Sequence, residues 1–437
     1  MKSNSQLLIL LFVFTFQPPF IPIPFVYVSG VAVIAYLFYR RNDIALFKHI
    51  LKKSGLLKMW DFHVVLTLYL IVVNALDIIF VGDKGILPTR LRGINQLFVL
   101  TLFQFAFVAF LIIQYEKRNF SYSDGIKLLV SAGILQGLFS IAAFVSPTLR
   151  SLFMMFGTKA LFENEWFMER RGFGFSMTLI DTFGYGMGLI AGYVVLTKWK
   201  NRLRHFLLLA LCLILFSIAV NARTGILVFL IAITIKAVYS TSVKQFVAKI
   251  IPLLLLLYLI LYFTPSLLEI GAGSNNRTIS WICSSFSAIF ELILDSGASS
   301  SSVEELSFLS DFINLPSNTF ELIFGAGHYV YDTEIALGFR TDIGFLNMFW
   351  EFGLFGSSIF FIVMFLFMIR PYFMTNNISI KRICIFNSVT YFLMLMKAIL
   401  IGYNPGVFVN YLVTFCIYYY LWKDRAENRM VLNKIAS

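Results

Sequence analysis

The sequence predicts an all-α, polytopic membrane protein with about twelve transmembrane helices and one large periplasmic loop. Three observations predict it. The first is composition: of 437 residues, 59% are hydrophobic and only 13% charged, with a mean hydropathy of +0.82, which excludes an ordinary soluble domain. The second is that apolar runs long enough to span a bilayer recur from end to end. The third is the placement of the basic residues. The formal charge of +12 invites a nucleic-acid partner, but the basic residues sit beside the apolar runs, as the positive-inside rule requires without any nucleic acid.

In chain order, the first run, Leu7 to Phe16, is followed by Gln17-Pro18-Pro19 and no small-residue cleavage site, so it reads as a retained helix rather than a signal peptide. It forms a hairpin with a second span that ends before Arg40-Arg41. A basic loop holding Lys48, Lys52, Lys53 and Lys58 comes next. The third span, about Phe62 to Val81, carries Asn74 and Asp77, and the fourth and fifth cover about Ile94 to Tyr115 and Ile126 to Val145. Residues Ser146 to Gly172 make a longer loop, and the sixth span begins near Phe173. The seventh and eighth meet at Asn221-Ala222-Arg223, and the ninth ends near Thr264-Pro265. The tenth begins at Asp342, the eleventh near Arg382, and the twelfth ends at Trp422-Lys423. The whole chain, 1–437, reads as one polytopic domain, with residues 265–341 its large loop. Cys212, Cys283, Cys384 and Cys416 are scattered, with neither a disulfide framework nor zinc spacing.

Threading these spans with the amino terminus inside places about 24 of the 35 Lys and Arg in inner loops and tails and about ten in outer loops. Both termini are then cytoplasmic and the large loop is periplasmic. That loop holds nine carboxylates against two basic residues, Arg277 and Arg340. Within it, Ile279 to Leu294 has the spacing of an interfacial helix, and Ser296 to Ser302 is a flexible joint of Ser, Gly and Ala.

The stretch Leu322 to Gly356, LIFGAGHYVYDTEIALGFRTDIGFLNMFWEFGLFG, closes this loop and enters the next span. At about 100° per residue, Asp342, Leu346, Phe349, Gly353 and Gly356 share one face of a continuous helix, and the glycines are expected to admit a neighbouring helix. Asn347 and Glu351 fall on the opposite face, Glu351 roughly 13 Å deeper than Asp342.

Arg92, Arg171, Arg223 and Arg340 each precede a span that runs inward. A helix amino terminus carries partial positive charge and unpaired N–H groups, so an arginine is favoured there when an anion shares the site. The guanidinium grips phosphate oxygens in pairs. The alternative is that each arginine snorkels to lipid headgroups.

Several segments carry a resemblance. Gly325-Ala326-Gly327 closes the outer loop, Asp342-Ile343-Gly344-Phe345-Leu346 starts the span, and Glu351-Phe352-Gly353-Leu354-Phe355-Gly356 lies within it. Asn221-Ala222-Arg223-Thr224-Gly225, Arg277 and Arg170-Arg171-Gly172-Phe173 complete the set. Their order and spacing resemble the Wzy-type O-antigen polymerases, in a superfamily that also includes the O-antigen ligases. Asn-Ala before Arg223 departs from the more usual Thr-Ser.

The resemblance implies a membrane glycosyltransferase of the bacterial inner membrane. Its substrates would be undecaprenyl-pyrophosphate-linked oligosaccharides, and a partner protein would set chain length. It implies no cofactor and no metal. A pyrophosphate leaving group needs charge stabilisation rather than a protonating acid, and arginines supply it. Arg171, Arg223, Arg277 and Arg340 are the candidate pyrophosphate or glycan ligands.

The acceptor hydroxyl needs a base or hydrogen-bond acceptor. Asp342, His328 and Glu351 are the candidates. Each has a plain alternative: a helix cap for Asp342, a loop hydrogen bond for His328, and a polar contact with Asn347 between helices for Glu351. Asp77 and Asp181 are further intramembrane acids with no evident partner in the sequence. Asp332-Thr333-Glu334 is too slight to be a metal motif. A ligase and a non-enzymatic flippase or transporter are the competing functions.

Overall fold

Helix is the only regular structure among the described residues of the computed structural model. These residues are 2–18, 25–80, 87–154, 174, 176, 180–199, 203–221, 224–239, 316, 318–327, 344–395 and 405–436. The helices are α1 Lys2–Phe16, α2 Phe25–Tyr39, α3 Asp43–Lys53, α4 Leu56–Phe80 and α5 Leu87–Ile94. A π-helical turn, Asn95–Leu100, joins α5 to α6 Thr101–Glu116 without a break. Next come α7 Tyr122–Val145, α8 Pro147–Met154, α9 Ile180–Leu196, α10 Arg204–Asn221 and α11 Thr224–Val238. The short α12 Thr319–Phe324 precedes α13 Gly344–Phe373, α14 Ile378–Leu395 and α15 Pro405–Ala436.

Among the described residues, five segments are long and apolar enough to cross a membrane: Leu56–Phe80, Asn95–Glu116, Tyr122–Val145, Gly344–Phe373 and Ile378–Leu395. Backbone polar groups in hydrocarbon must be satisfied within the segment, and helix is the way a single apolar run does so. The protein is therefore all-α and membrane-embedded.

The structure revises the sequence reading in three places. The basic stretch after Arg41 is helix rather than loop. In α3, Asp43 and Ile50 are buried while the lysines project, an amphipathic pattern too short to register as a span. The fourth span starts earlier than Ile94, because α5 and the π turn carry the same helix back to Leu87, so Arg92 lies within it rather than ahead of it. The third revision concerns α13, whose helix is interrupted at Gly353, where φ is 65° and ψ −177°. The faces before and after that residue are not continuous.

The helices gather into two compact units. One comprises residues 1–15, 23–132 and 314–437, the other 16–22 and 133–313. The first has an aromatic core. Phe14 stacks on Phe107 at 4.1 Å and meets Phe408 at 4.3 Å, and Phe105 meets Phe415 edge-on at 5.4 Å. α14 and α15 are joined by buried amides: Asn387 Nδ2 donates to Thr414 Oγ1 at 3.0 Å, and Asn410 Nδ2 to the Asn387 carbonyl at 3.0 Å. Such bonds substitute for a hydrophobic driving force that hydrocarbon cannot supply.

The second unit packs through small residues. A Cβ on Gly188 would lie 2.8 Å from the Gly225 carbonyl oxygen, and one on Gly225 would lie 2.7 Å from that of Gly184. α9 and α11 thus touch backbone to backbone. Gly225, one of the residues of the Asn221–Gly225 segment, is accounted for by this contact.

Candidate functional site

Within the first unit, α4, α5, the turn after α12 and the break in α13 meet around buried polar groups. The turn begins where α12 ends. Asn318 caps α12, its side chain accepting the Phe320 amide at 2.8 Å. The chain then leaves the helix at Gly325, with φ 92° and ψ 161°, and passes Gly327 at φ 71°. The Gly325 backbone, like that of Gly353, lies in a region essentially restricted to glycine.

This turn is seated on the break in α13. The Ala326 amide donates to the Trp350 carbonyl at 2.7 Å, and the Gly327 amide to the Glu351 carbonyl at 3.2 Å. The carbonyls that the interrupted helix leaves without an intrahelical partner are thus met by the turn. A Cβ on Gly325 would lie 2.5 Å from the Glu351 carbonyl oxygen, and a Cβ on Gly353 would overlap the Ile323 carbonyl and the Gly325 amide. Tyr69 of α4 closes the arrangement. Its hydroxyl lies 2.8 Å from the Phe324 carbonyl oxygen and 3.0 Å from that of Phe352, and its ring occupies the space a Cβ on Gly356 would need.

Asp77, which has no partner evident in the sequence, has one in the structure. Arg90 Nη2 lies 2.8 Å from Asp77 Oδ2, with the side chains 4% and 0% exposed. Arg90 Nη1 donates to Asn74 Oδ1 at 2.8 Å and reaches the carbonyls of Ala326 at 3.4 Å and Asn74 at 3.5 Å. A buried ion pair holds only when the remaining lone pairs and protons are also met, and Asn74 meets part of that demand. A Cβ on Gly327 would fall 2.6 Å from Asn74 Oδ1, so the turn lies directly on the same amide.

Glu351 is buried, 2% exposed. Its carboxylate packs on Gly93 of α5, where a Cβ would overlap Oε1, with Leu70 of α4 alongside. Among the described residues no donor reaches it. Asn347, expected with Glu351 on the face opposite Gly353 and Gly356, is likewise buried at 3%, as are both glycines.

Of the candidate site residues, Glu351 is the one the structure describes. Asp342, His328, Arg171, Arg223, Arg277 and Arg340 lie outside the described residues, as do Asp332 and Glu334. Asp181 falls in α9. Arg90 is the functional candidate that the sequence reading passed over. Its signal was available: a basic residue 13 positions after an intramembrane aspartate, at the same end of the bundle. Among the described residues no group of three or more His, Cys, Asp or Glu is placed to hold a metal ion.

Comparisons with protein-family models, with curated proteins and with solved structures return no match.

Proposed function

We propose that this protein polymerises undecaprenyl-pyrophosphate-linked oligosaccharide repeat units on the periplasmic face of a bacterial inner membrane. The growing chain would leave its lipid pyrophosphate and pass to a hydroxyl of the incoming unit. One observation supports this reading above the others. Two of the segments that carry the resemblance to the Wzy-type polymerases, Gly325-Ala326-Gly327 and Glu351-Phe352-Gly353, are 26 residues apart from glycine to glutamate in the chain (325 to 351) and meet backbone to backbone. Both are used at one place, as parts of a single site would be.

In this reading Arg171, Arg223, Arg277 and Arg340 bind the pyrophosphates of donor and acceptor. Asp342, His328 and Glu351 remain the candidates for the hydroxyl's proton. Developing charge on the leaving pyrophosphate is stabilised by guanidinium pairs and needs no metal, so polymerisation by the purified protein is expected to survive EDTA.

A transporter is the second reading, favoured by the interrupted helix beside a buried carboxylate, a feature of many transporter sites. Against it, the exposed carbonyls of the break are taken up by the turn rather than lining a path. An O-antigen ligase shares the same chemistry and differs in acceptor.

The test is to express Ala and Lys variants of Arg223, Arg277 and Arg340 at matched membrane levels and compare glycan ladders. Each alanine should cost roughly ten- to a hundred-fold in activity, the value of a charge-assisted contact, and lysine should rescue partly, because it keeps the charge and loses the fork. Wild-type ladders from all three alanine variants would sink the reading. Loss of a polymerase leaves one repeat unit per lipid, whereas loss of a ligase leaves none.

A further inference from the structure

We propose that Arg90 is a positioning residue of this site, acting on the Gly325–Gly327 turn rather than on a phosphate. The proposal rests on the functional reading above for what the turn serves, and on geometry alone for the hold itself.

Arg90 is poorly suited to grip an anion. Its guanidinium is 4% exposed, its charge is matched by Asp77 at 2.8 Å, and its other arm is directed at Asn74 and Ala326. The same features suit it to join three pieces of chain. Asp77 and Asn74 stand one turn apart on α4, Arg90 itself belongs to α5, and the Ala326 carbonyl belongs to the turn. A planar fork with fixed donor directions can serve acceptors on two elements at once, whereas an ammonium is a single point of charge.

The second half of the arrangement also lies on α5. Gly93 follows Arg90 by three residues, hence on a neighbouring face of the helix, and the Glu351 carboxylate packs on it. α5 therefore addresses the turn with one residue and the break in α13 with another. The Asn74 amide is the shared point: its Oδ1 accepts from Arg90 and leaves no room for a side chain at residue 327. Displacing Arg90 frees Asn74 and Ala326 together, and Gly327 loses the surface that locates it. The next residue in the chain is His328, a candidate base, so a small displacement here is felt where the proton would be taken.

The experiment uses the full-length protein in nanodiscs, comparing wild type with Arg90→Lys and with the double variant Arg90→Ala/Asp77→Ala. The double variant removes both charges and avoids leaving a buried aspartate unpaired, so it keeps the test open if the lysine variant folds poorly. Hydrogen exchange is read at the amides of Ala326 and Gly327, which donate to the α13 carbonyls, against amides of α6 as reference. Exchange there should rise about five- to tenfold with the reference unchanged. With undecaprenyl-pyrophosphate-linked repeat units as substrate, kcat should fall while KM holds.

Unchanged exchange at both amides in both variants would overturn the proposal. So would a raised KM with kcat intact, which would place Arg90 on the pyrophosphate. Raised exchange in a protein whose wild type makes no polymer would support the hold by Arg90 and count against the polymerase reading instead.

Discussion

Gly325 and Gly353 face each other backbone to backbone. A Cβ on Gly325 would come within 2.6 Å of the Gly353 amide nitrogen, and a Cβ on Gly353 would overlap the Gly325 amide in turn. Each residue also has a positive φ, 92° and 65°. Gly325→Ala and Gly353→Ala each therefore combine strain of about 1–3 kcal/mol with a backbone collision. Both variants should lower the thermal midpoint in detergent, and the double variant should cost less than the two singles added, because either one already separates the pair. Strict additivity would mean the two glycines act independently.

Tyr69→Phe removes a single hydroxyl and leaves the ring against Gly356. The carbonyls of Phe324 and Phe352 then lose the donor that lies between them. The expected cost is about 1 kcal/mol, rising toward 3 where a carbonyl stays buried and unmet. Thermal unfolding at matched detergent concentration measures it. Equal stability of the phenylalanine variant would show that the phenol is dispensable.

The first unit carries a second polar cluster, at the end of the bundle where α2, α3 and α6 meet. Burial opposes the charge on Asp43, but hydrogen bonds from Lys117 and Tyr36, with the charges of Lys117 and Arg40, outweigh it and hold its carboxyl below the usual 3.8. Lys117 is likewise held above its usual 10.5, burial opposing and Asp43 and Tyr36 prevailing. A carboxyl depressed on folding stabilises above its unfolded value and loses that contribution as pH falls through the folded one. The clamp on α3 should thus hold from about pH 4 to about pH 10 and weaken below, by at most about 1 kcal/mol because Lys117 is partly exposed. Limited proteolysis near α3 at pH 6 and pH 3 should show faster cleavage at the lower value. Asp43→Asn should remove the difference.

The basic residues predict an orientation that can be checked directly. Reporter fusions at Lys53 and after Lys423 are expected in the cytoplasm, and a fusion at Ser300 in the periplasm. A cytoplasmic signal from Ser300 would overturn the proposed site along with the topology.

Much of the helical framework could be read from the chain, because hydrophobic runs in a bilayer have one regular solution. What escaped depends on pairing across distance. Asp77 looked solitary because its partner, Arg90, stands 13 residues further on, in a different helix. α3 looked like loop because its apolar face is only a few residues wide. Gly353 looked like a packing glycine in an unbroken helix, since hydropathy continues across it and the carbonyls that permit the break, those of Trp350 and Glu351, are met by amides 24 residues earlier. The π turn at Asn95–Leu100 leaves no trace in composition at all. For the site, sequence named Glu351 and the two glycine segments, and the structure supplied their contact.

That π turn has a consequence for the gene. A π turn contains one residue more than the α-helix would need over the same rise, and each residue turns a helix by about 100°. Deleting one residue between Asn95 and Leu100 would let α5 and α6 run on as ordinary helix. Because the extra residue is absorbed within the turn, α5 and α6 would keep nearly the same register, with Arg90 still beside Asp77 and Gly93 beside Glu351, whereas the same deletion in the regular helix after Leu100 would rotate α5 against the rest of α6 by about that angle. A loss of three nucleotides is thus expected to be tolerated at the π turn and to undo the arrangement a turn later, in α6.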